Sequence, residues 1–199
     1  MKLLETIKYE NGRFFNLKYH QKRMDRSYLS MFNHSNTINL NRSLQESNLP
    51  LSQNPYKCRV TYDNNGHQIE FVKYEFPQIN SLKLVVDDNI EYSIKYNNRS
   101  ALEKLFNRRG VADDIIIVKD GLITDSFYAN LLFYNGKNWV TPAKPVLAGI
   151  QREYLIHEGI INVDHIRPAH LINFEIIRMI NSMISFEDKI DINISNVLV

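Results

Sequence analysis

The dipeptide Asn11-Gly12 lies within LLETIKYENGRFFNL, where apolar and polar residues alternate on both sides of it. A two-residue turn of this kind needs left-handed backbone, which Asn and Gly reach at least cost, and its twist matches that of paired strands. Strands therefore open the protein. The segment YKCRVTYDNNGHQIEFVKYEFP predicts a second hairpin with its turn at Asn64-Asn65-Gly66. Between the two, KYHQKRMDRSYLSMF spaces Tyr19, Met24, Tyr28, Leu29 and Phe32 at roughly helical intervals, which predicts an amphipathic helix over 18–32 with Arg23 on its polar face. A further helix is expected in TINLNRSLQESNLPL.

From Ile79 onward the pattern runs from a strand through an irregular polar stretch to a helix and another strand. A domain boundary near Asp87 to Glu91 follows, giving a smaller N-terminal α/β domain over 1–88 and a larger α+β domain over 89–199. AGIQREYLIHEG reads as a helix introduced by Gly149 and closed near Gly159, and PAHLINFEIIRMINSMIS as a helix, a strand and a turn. The stretch DGLITDSFYANLLFYNGKNWVTP, Asp120 to Pro142, reads as paired strands with two glycine turns. Asp125 and Asn130 stand inside it where a strand favours Val or Thr, which marks them as functional candidates.

Composition narrows the functions. A chain of 199 residues that is 44% hydrophobic can bury the core of one large domain or two small ones. Its net charge of +2 gives no ground for a nucleic-acid or membrane partner, and leaves room for an acidic small molecule in a local basic pocket. The single Cys58 excludes an internal disulfide framework and a multi-cysteine zinc site, which fits a reducing cytoplasm. Glu5 interrupts any export signal, and the apolar run in DDIIIVKDG is too short to span a bilayer, so a cytoplasmic protein is expected. Histidines at 20, 34, 67, 157, 165 and 170 never fall four residues apart, and no metal site is expected. Neither a Gly-x-Ser-x-Gly elbow nor a Gly-rich phosphate loop of the common nucleotide folds is present.

Five segments in order carry a resemblance: LETI...NGRFFNLKYHQKRMDRS, IKYNNR, DDIIIVKDGLITDSFYANLLFY, WVTPAKPVLAGIQREYL and RMINSMIS. Together they resemble the class IV aminotransferase family, the fold type IV pyridoxal-phosphate enzymes that include branched-chain and D-amino-acid aminotransferases and aminodeoxychorismate lyase. The resemblance implies a two-domain α+β fold of the D-amino-acid-aminotransferase type, pyridoxal 5'-phosphate in the cleft between the domains, a small-molecule amino substrate and a homodimer. Lys95 matches the family lysine, which tethers the cofactor and then moves the substrate proton. Asp125 matches the acid that pairs with the ring nitrogen, in the family a Glu within Glu-x-x-x-x-Asn, and Asn130 matches its supporting amide. Aspartate is one methylene shorter, about 1.5 Å of reach.

For the phosphate, the resemblance implies Arg23, whose guanidinium can grip two oxygens at once. It adds the helix N-terminus at Gly149, Ile150 and Gln151, and a turn at Asn181 and Ser182. Gln151 stands where the family often has Thr, and family members usually carry a further strand before the segment matching LLETI. Amine transfer and release of pyruvate from aminodeoxychorismate, giving p-aminobenzoate, both pass through loss of the same proton, and the residues leave that choice open. A shortened relative that binds the cofactor without turnover, or only preserves a dimer, is the alternative.

Overall fold

A computed structural model describes residues 1–198, and by internal contact the chain divides into two compact units. The first comprises Met1–Phe76 together with Ile94–Asn98, the second Pro77–Ser93 together with Arg99–Val199.

In the first unit, β1 (Leu3–Glu10) turns through Asn11 and Gly12, at φ 51° and 75°, into the short β2 (Arg13–Phe14), as the Asn-Gly pair predicts. β3 (Tyr56–Asp63) and β4 (Gly66–Lys73) form the second hairpin, and the antiparallel sheet runs β2-β1-β3-β4. α1 (Leu17–Phe32) and α2 (Leu40–Gln45) cover it, with Met24, Tyr28, Leu40 and Leu44 packed on Leu3, Ile7, Cys58, Val60 and Tyr62. In β3 the inward residues alternate, Cys58, Val60 and Tyr62, which is the period of a strand buried on one face. Arg23 is only 6% exposed and belongs to the core side of α1 rather than its polar face, because it answers a carboxylate buried beneath the helix.

The second unit is built on two sheets. One runs β13-β5-β6-β7, from β5 (Leu82–Val86), β6 (Asp114–Lys119), β7 (Leu122–Ile123) and β13 (Val197–Leu198). α3 (Ser100–Phe106) precedes β6, which pairs parallel with β5; DIIIVK is buried almost throughout, as expected of an interior strand. The other runs β10-β9-β8-β11-β12, from β8 (Asn130–Tyr134), β9 (Trp139–Pro142), β10 (Asn162–Asp164), β11 (Ile176–Ile180) and β12 (Asp191–Asn193). Leu131 and Phe133 of β8 join Ile116, Val118, Ile177 and Met179 in one core, whereas Leu132 packs with Leu155 of α4 (Ile150–His157) on the opposite face. Arg178, 7% exposed on β11, lies 4.4 Å from the ring centre of Trp139 and 4.5 Å from that of Phe186, and Asp191 takes its charge at 2.6 Å.

Two sequence expectations differ from this picture. The boundary expected near residues 87–91 puts Lys95 in the second domain, but the segment 94–98 groups with the first unit. Leu4 N–H donates to Lys95 O at 3.0 Å, Asn97 N–H donates to Lys2 O at 3.0 Å, and Tyr96 bridges Leu3, so the segment completes the edge of β1. β5 leaves the first unit for the opposite reason, since its partner strand is β6. Nor does Asp125 lie within a regular strand: β7 ends at Ile123, and a tight turn closes between Ser126 and Ala129, held by Ser126 N–H to Ala129 O at 2.9 Å and Ala129 N–H to Ser126 Oγ at 3.1 Å.

Candidate active site

In the first unit the site residues gather around a charge buried in β1. Glu5 alternates with Leu3 and Ile7, and all three have no exposed surface. Its carboxylate would be very costly there without partners. Arg23 supplies two bonds, Nε to Oε1 at 2.8 Å and Nη2 to Oε2 at 2.6 Å, and His20 Nδ1 lies 2.6 Å from Oε2. Burial pushes the Glu5 pKa up, but Arg23 and the His20 hydrogen bond outweigh it and bring the group down to about 2. For His20, burial comes first and holds the imidazole below its ordinary value, with the charges of Arg23 and Lys95 adding to that effect against Glu5. Arg23 and Lys95 thus both bear on the same imidazole. Lys95 itself is half-buried.

In the second unit four polar groups converge. Asp125 is 5% exposed and Asn130 is 6% exposed. Asn130 Nδ2 donates to Asp125 Oδ1 at 2.6 Å and to Leu147 O at 2.9 Å, and Leu147 N–H donates to Asp125 Oδ2 at 2.9 Å. The polar pair that is out of place in a strand pattern is therefore the clamp that pins the loop before α4. Gly149 is the N-cap of α4 in extended backbone, φ −76° and ψ 151°, without a side-chain cap. A Cβ on Gly149 would overlap Asn130 Oδ1, with Asn130 Cγ 3.1 Å away, so the residue is glycine to make room for that amide. Ile150 and Gln151 follow in the first turn and are both buried. Asn181 accepts from Met183 N–H at 2.7 Å and Ile184 N–H at 3.0 Å and donates to Tyr128 O at 3.3 Å, which braces the turn after Asp125; Ser182 is half-buried beside it.

Three supporting residues escaped the sequence reading. Arg99 donates from Nη2 to Phe127 O at 2.6 Å and lies 4.3 Å over the Phe127 ring. Asp114 Oδ1 accepts from Phe127 N–H at 3.3 Å, so the turn between Asp125 and Asn130 is held at both polar groups of one residue. Arg152 reaches Thr141 Oγ1 at 3.3 Å and Pro142 O at 2.8 Å and adds a favourable charge for Asp125. A signal for Glu5 and His20 did exist: an acid at an inward strand position, and a histidine three residues before an arginine on the helix face beneath it. Among the described residues no three His, Cys, Asp or Glu come together as metal ligands, and no helix is long and apolar enough to cross a membrane.

Burial raises the Asp125 carboxyl from its ordinary 3.8 to about 7, against the Leu147 and Asn130 hydrogen bonds that lower it. Between those two values the folded protein holds a proton that the unfolded chain has released, so this group makes stability fall as pH rises through the interval. Asp125→Asn removes the titration. The stability of the variant relative to wild type is expected to rise from pH 4 to pH 7 by about 2–4 kcal/mol and then level off. Thermal unfolding of the cofactor-free protein at several pH values measures it, and a difference that stays constant with pH would contradict the assignment.

The amino-transferase class IV model matches residues 2–186. An uncharacterized protein of Haemophilus influenzae is 38% identical over 182 residues, covering 91% of this chain and 97% of its own. Among solved structures, a "putative 4-amino-4-deoxychorismate lyase" from Haemophilus somnus superposes with a TM-score of 0.87 at 30% identity, over 93% of this chain and 97% of that one. A PLP-bound hypothetical aminotransferase from Mycobacterium tuberculosis shares the fold, with a TM-score of 0.74 at 16% identity over 92% of this chain and 78% of that one. The chain belongs to the class IV aminotransferase family and is one of its pyridoxal-phosphate-dependent enzymes.

Proposed function

We propose that the protein is a 4-amino-4-deoxychorismate lyase that forms p-aminobenzoate and pyruvate, working as a cytoplasmic homodimer. The observation that carries this reading is the likeness, 30% identical and nearly end to end, to the Haemophilus somnus protein named for that activity.

The donor set around Asp125 fits the cofactor ring. Its two oxygens accept from Asn130 and Leu147, and the nearby charge is the cation Arg152. A carboxylate offers about four lone-pair directions, so a further N–H from a ring nitrogen can still be accepted. For the phosphate, the first unit would offer the charge of Arg23, and the second unit would offer the N-terminal turn at Gly149, Ile150 and Gln151 and the turn at Asn181 and Ser182. When bound, the cofactor supplies an electron sink that acidifies the C–H beside the substrate amine.

Lys95 would tether the cofactor and, once the substrate amine has displaced it, would be the amine that takes the proton from C4 of the substrate. The electron pair left behind becomes a ring double bond as the C3–O bond breaks and enolpyruvate leaves. Protonation of enolpyruvate gives pyruvate, and the carbocycle emerges aromatic, which makes the step irreversible in practice. Asp125, buried and braced by Asn130 and Leu147, would be the acid that faces the ring nitrogen.

The test is incubation of the purified protein, loaded with pyridoxal phosphate, with 4-amino-4-deoxychorismate. Equal amounts of p-aminobenzoate and pyruvate are expected. Amine transfer to a 2-oxo acid without pyruvate release would make the protein an aminotransferase, and a bound cofactor with neither product would make it a binding relative.

A further inference from the structure

Stability alone does not explain the charge beneath α1. Glu5 is buried without residual exposure between two apolar residues of β1, and a buried ion pair is often no more stabilising than apolar side chains of similar volume. His20 repeats the puzzle. Its Nδ1 meets Glu5 at 2.6 Å while its Nε2, also buried, meets no hydrogen-bond partner, a cost borne for the sake of one contact.

Resting on the reading that Arg23 grips the cofactor phosphate, we propose that Glu5 is a positioning residue, braced by His20, that aims the Arg23 guanidinium. Glu5 takes the Nε–Nη2 edge of the guanidinium through two hydrogen bonds of 2.8 and 2.6 Å. Because the group is planar, fixing one edge fixes the plane and the direction of the Nη1 end, and the long arginine stem loses its rotamer freedom before any anion arrives. The adjacent residue of the same strand performs the matching task for the tether: Leu4 N–H holds Lys95 O at 3.0 Å. Consecutive residues of β1 thus hold the backbone of the tethering lysine and the head of the phosphate arginine. The spacing between them is set by a rigid strand within one compact unit instead of by two mobile side chains.

A positioning role through the phosphate has a signature that general loss of structure lacks. Pyridoxal carries the same ring and aldehyde without the phosphate. In absorbance titrations of the cofactor-free full chain, Glu5→Gln is expected to weaken pyridoxal phosphate binding by about tenfold or more while leaving pyridoxal within about twofold. Combined with Arg23→Gln, it is expected to add no further loss. Glu5→Asp keeps the charge and shortens the reach, so it carries the same test, with a smaller selective loss, should the glutamine variant fail to fold. Equal weakening of both ligands, or losses that simply add, would overturn the proposal. Wild-type protein that binds pyridoxal phosphate no better than pyridoxal would instead refute the Arg23 reading, and the inference with it.

Discussion

On the proposed role of Lys95 as tether and base, Lys95→Ala is expected to lower the rate of pyruvate release by at least about 10³-fold. The fold should survive the change. What the first unit uses of Lys95 to complete the edge of β1 is its carbonyl oxygen, which accepts from Leu4 N–H and is untouched by truncation of the side chain. Far-ultraviolet circular dichroism should therefore be the same for the variant and wild type. Borohydride treatment of the wild-type protein with pyridoxal phosphate should fix the cofactor on the peptide containing Lys95, read by mass, and the variant should show no specific adduct. A variant that keeps its rate, or a wild-type adduct on another lysine, would rule out the assignment of this residue.

Gly149→Ala is expected to cost about 2–4 kcal/mol of unfolding free energy and to weaken cofactor binding in parallel. The backbone is not the reason. With φ at −76° and ψ at 151°, an alanine is conformationally acceptable. The cost comes from the new methyl, which would occupy the place of Asn130 Oδ1 and push the amide off both Asp125 and Leu147. Asn130 is held by its own hydrogen bonds, so it has no cheap direction in which to yield. Urea unfolding of Gly149→Ala, Asn130→Ala and the double variant forms a cycle in which the two losses should be strongly non-additive, because the second substitution removes the atom that the first collides with. Strict additivity would mean that the helix start tolerates the methyl by another movement.

What could be read from the sequence was mostly local. Asn11-Gly12 adopts two consecutive left-handed residues, and Asp120-Gly121 does the same between β6 and β7 at φ 52° and 72°. The helix at 17–32 follows from its own periodicity. Asp125 and Asn130 declared themselves by being polar where a strand pattern runs, and the structure joins them directly. The missed features all depend on long-range pairing. The inward acid at residue 5 and the His20–Arg23 spacing are each visible, but only the packing of α1 on β1 brings them together, eighteen positions apart for Arg23, and nothing in IKYNNR says that it returns to the edge of the first strand. The Cβ position of Gly149 is filled by an amide nineteen residues earlier, which no local pattern reveals. Periodicity identifies which face is buried; which groups meet there is decided by topology.

The chain has one cysteine and one tryptophan, and they fall in different units. Cys58 sits in the core of β3 with no exposed surface, and burial raises its thiol to about 12. Trp139 stacks on a buried arginine in the other unit. Chemical labelling of the thiol can proceed only when the first unit opens, since both access and thiolate formation are denied in the folded state. Indole emission reports on the packing around Trp139 in the second unit. The protein thus carries a native reporter in each half, and comparing labelling rate with fluorescence across a denaturant series shows whether the halves unfold together or one at a time, without a single engineered probe.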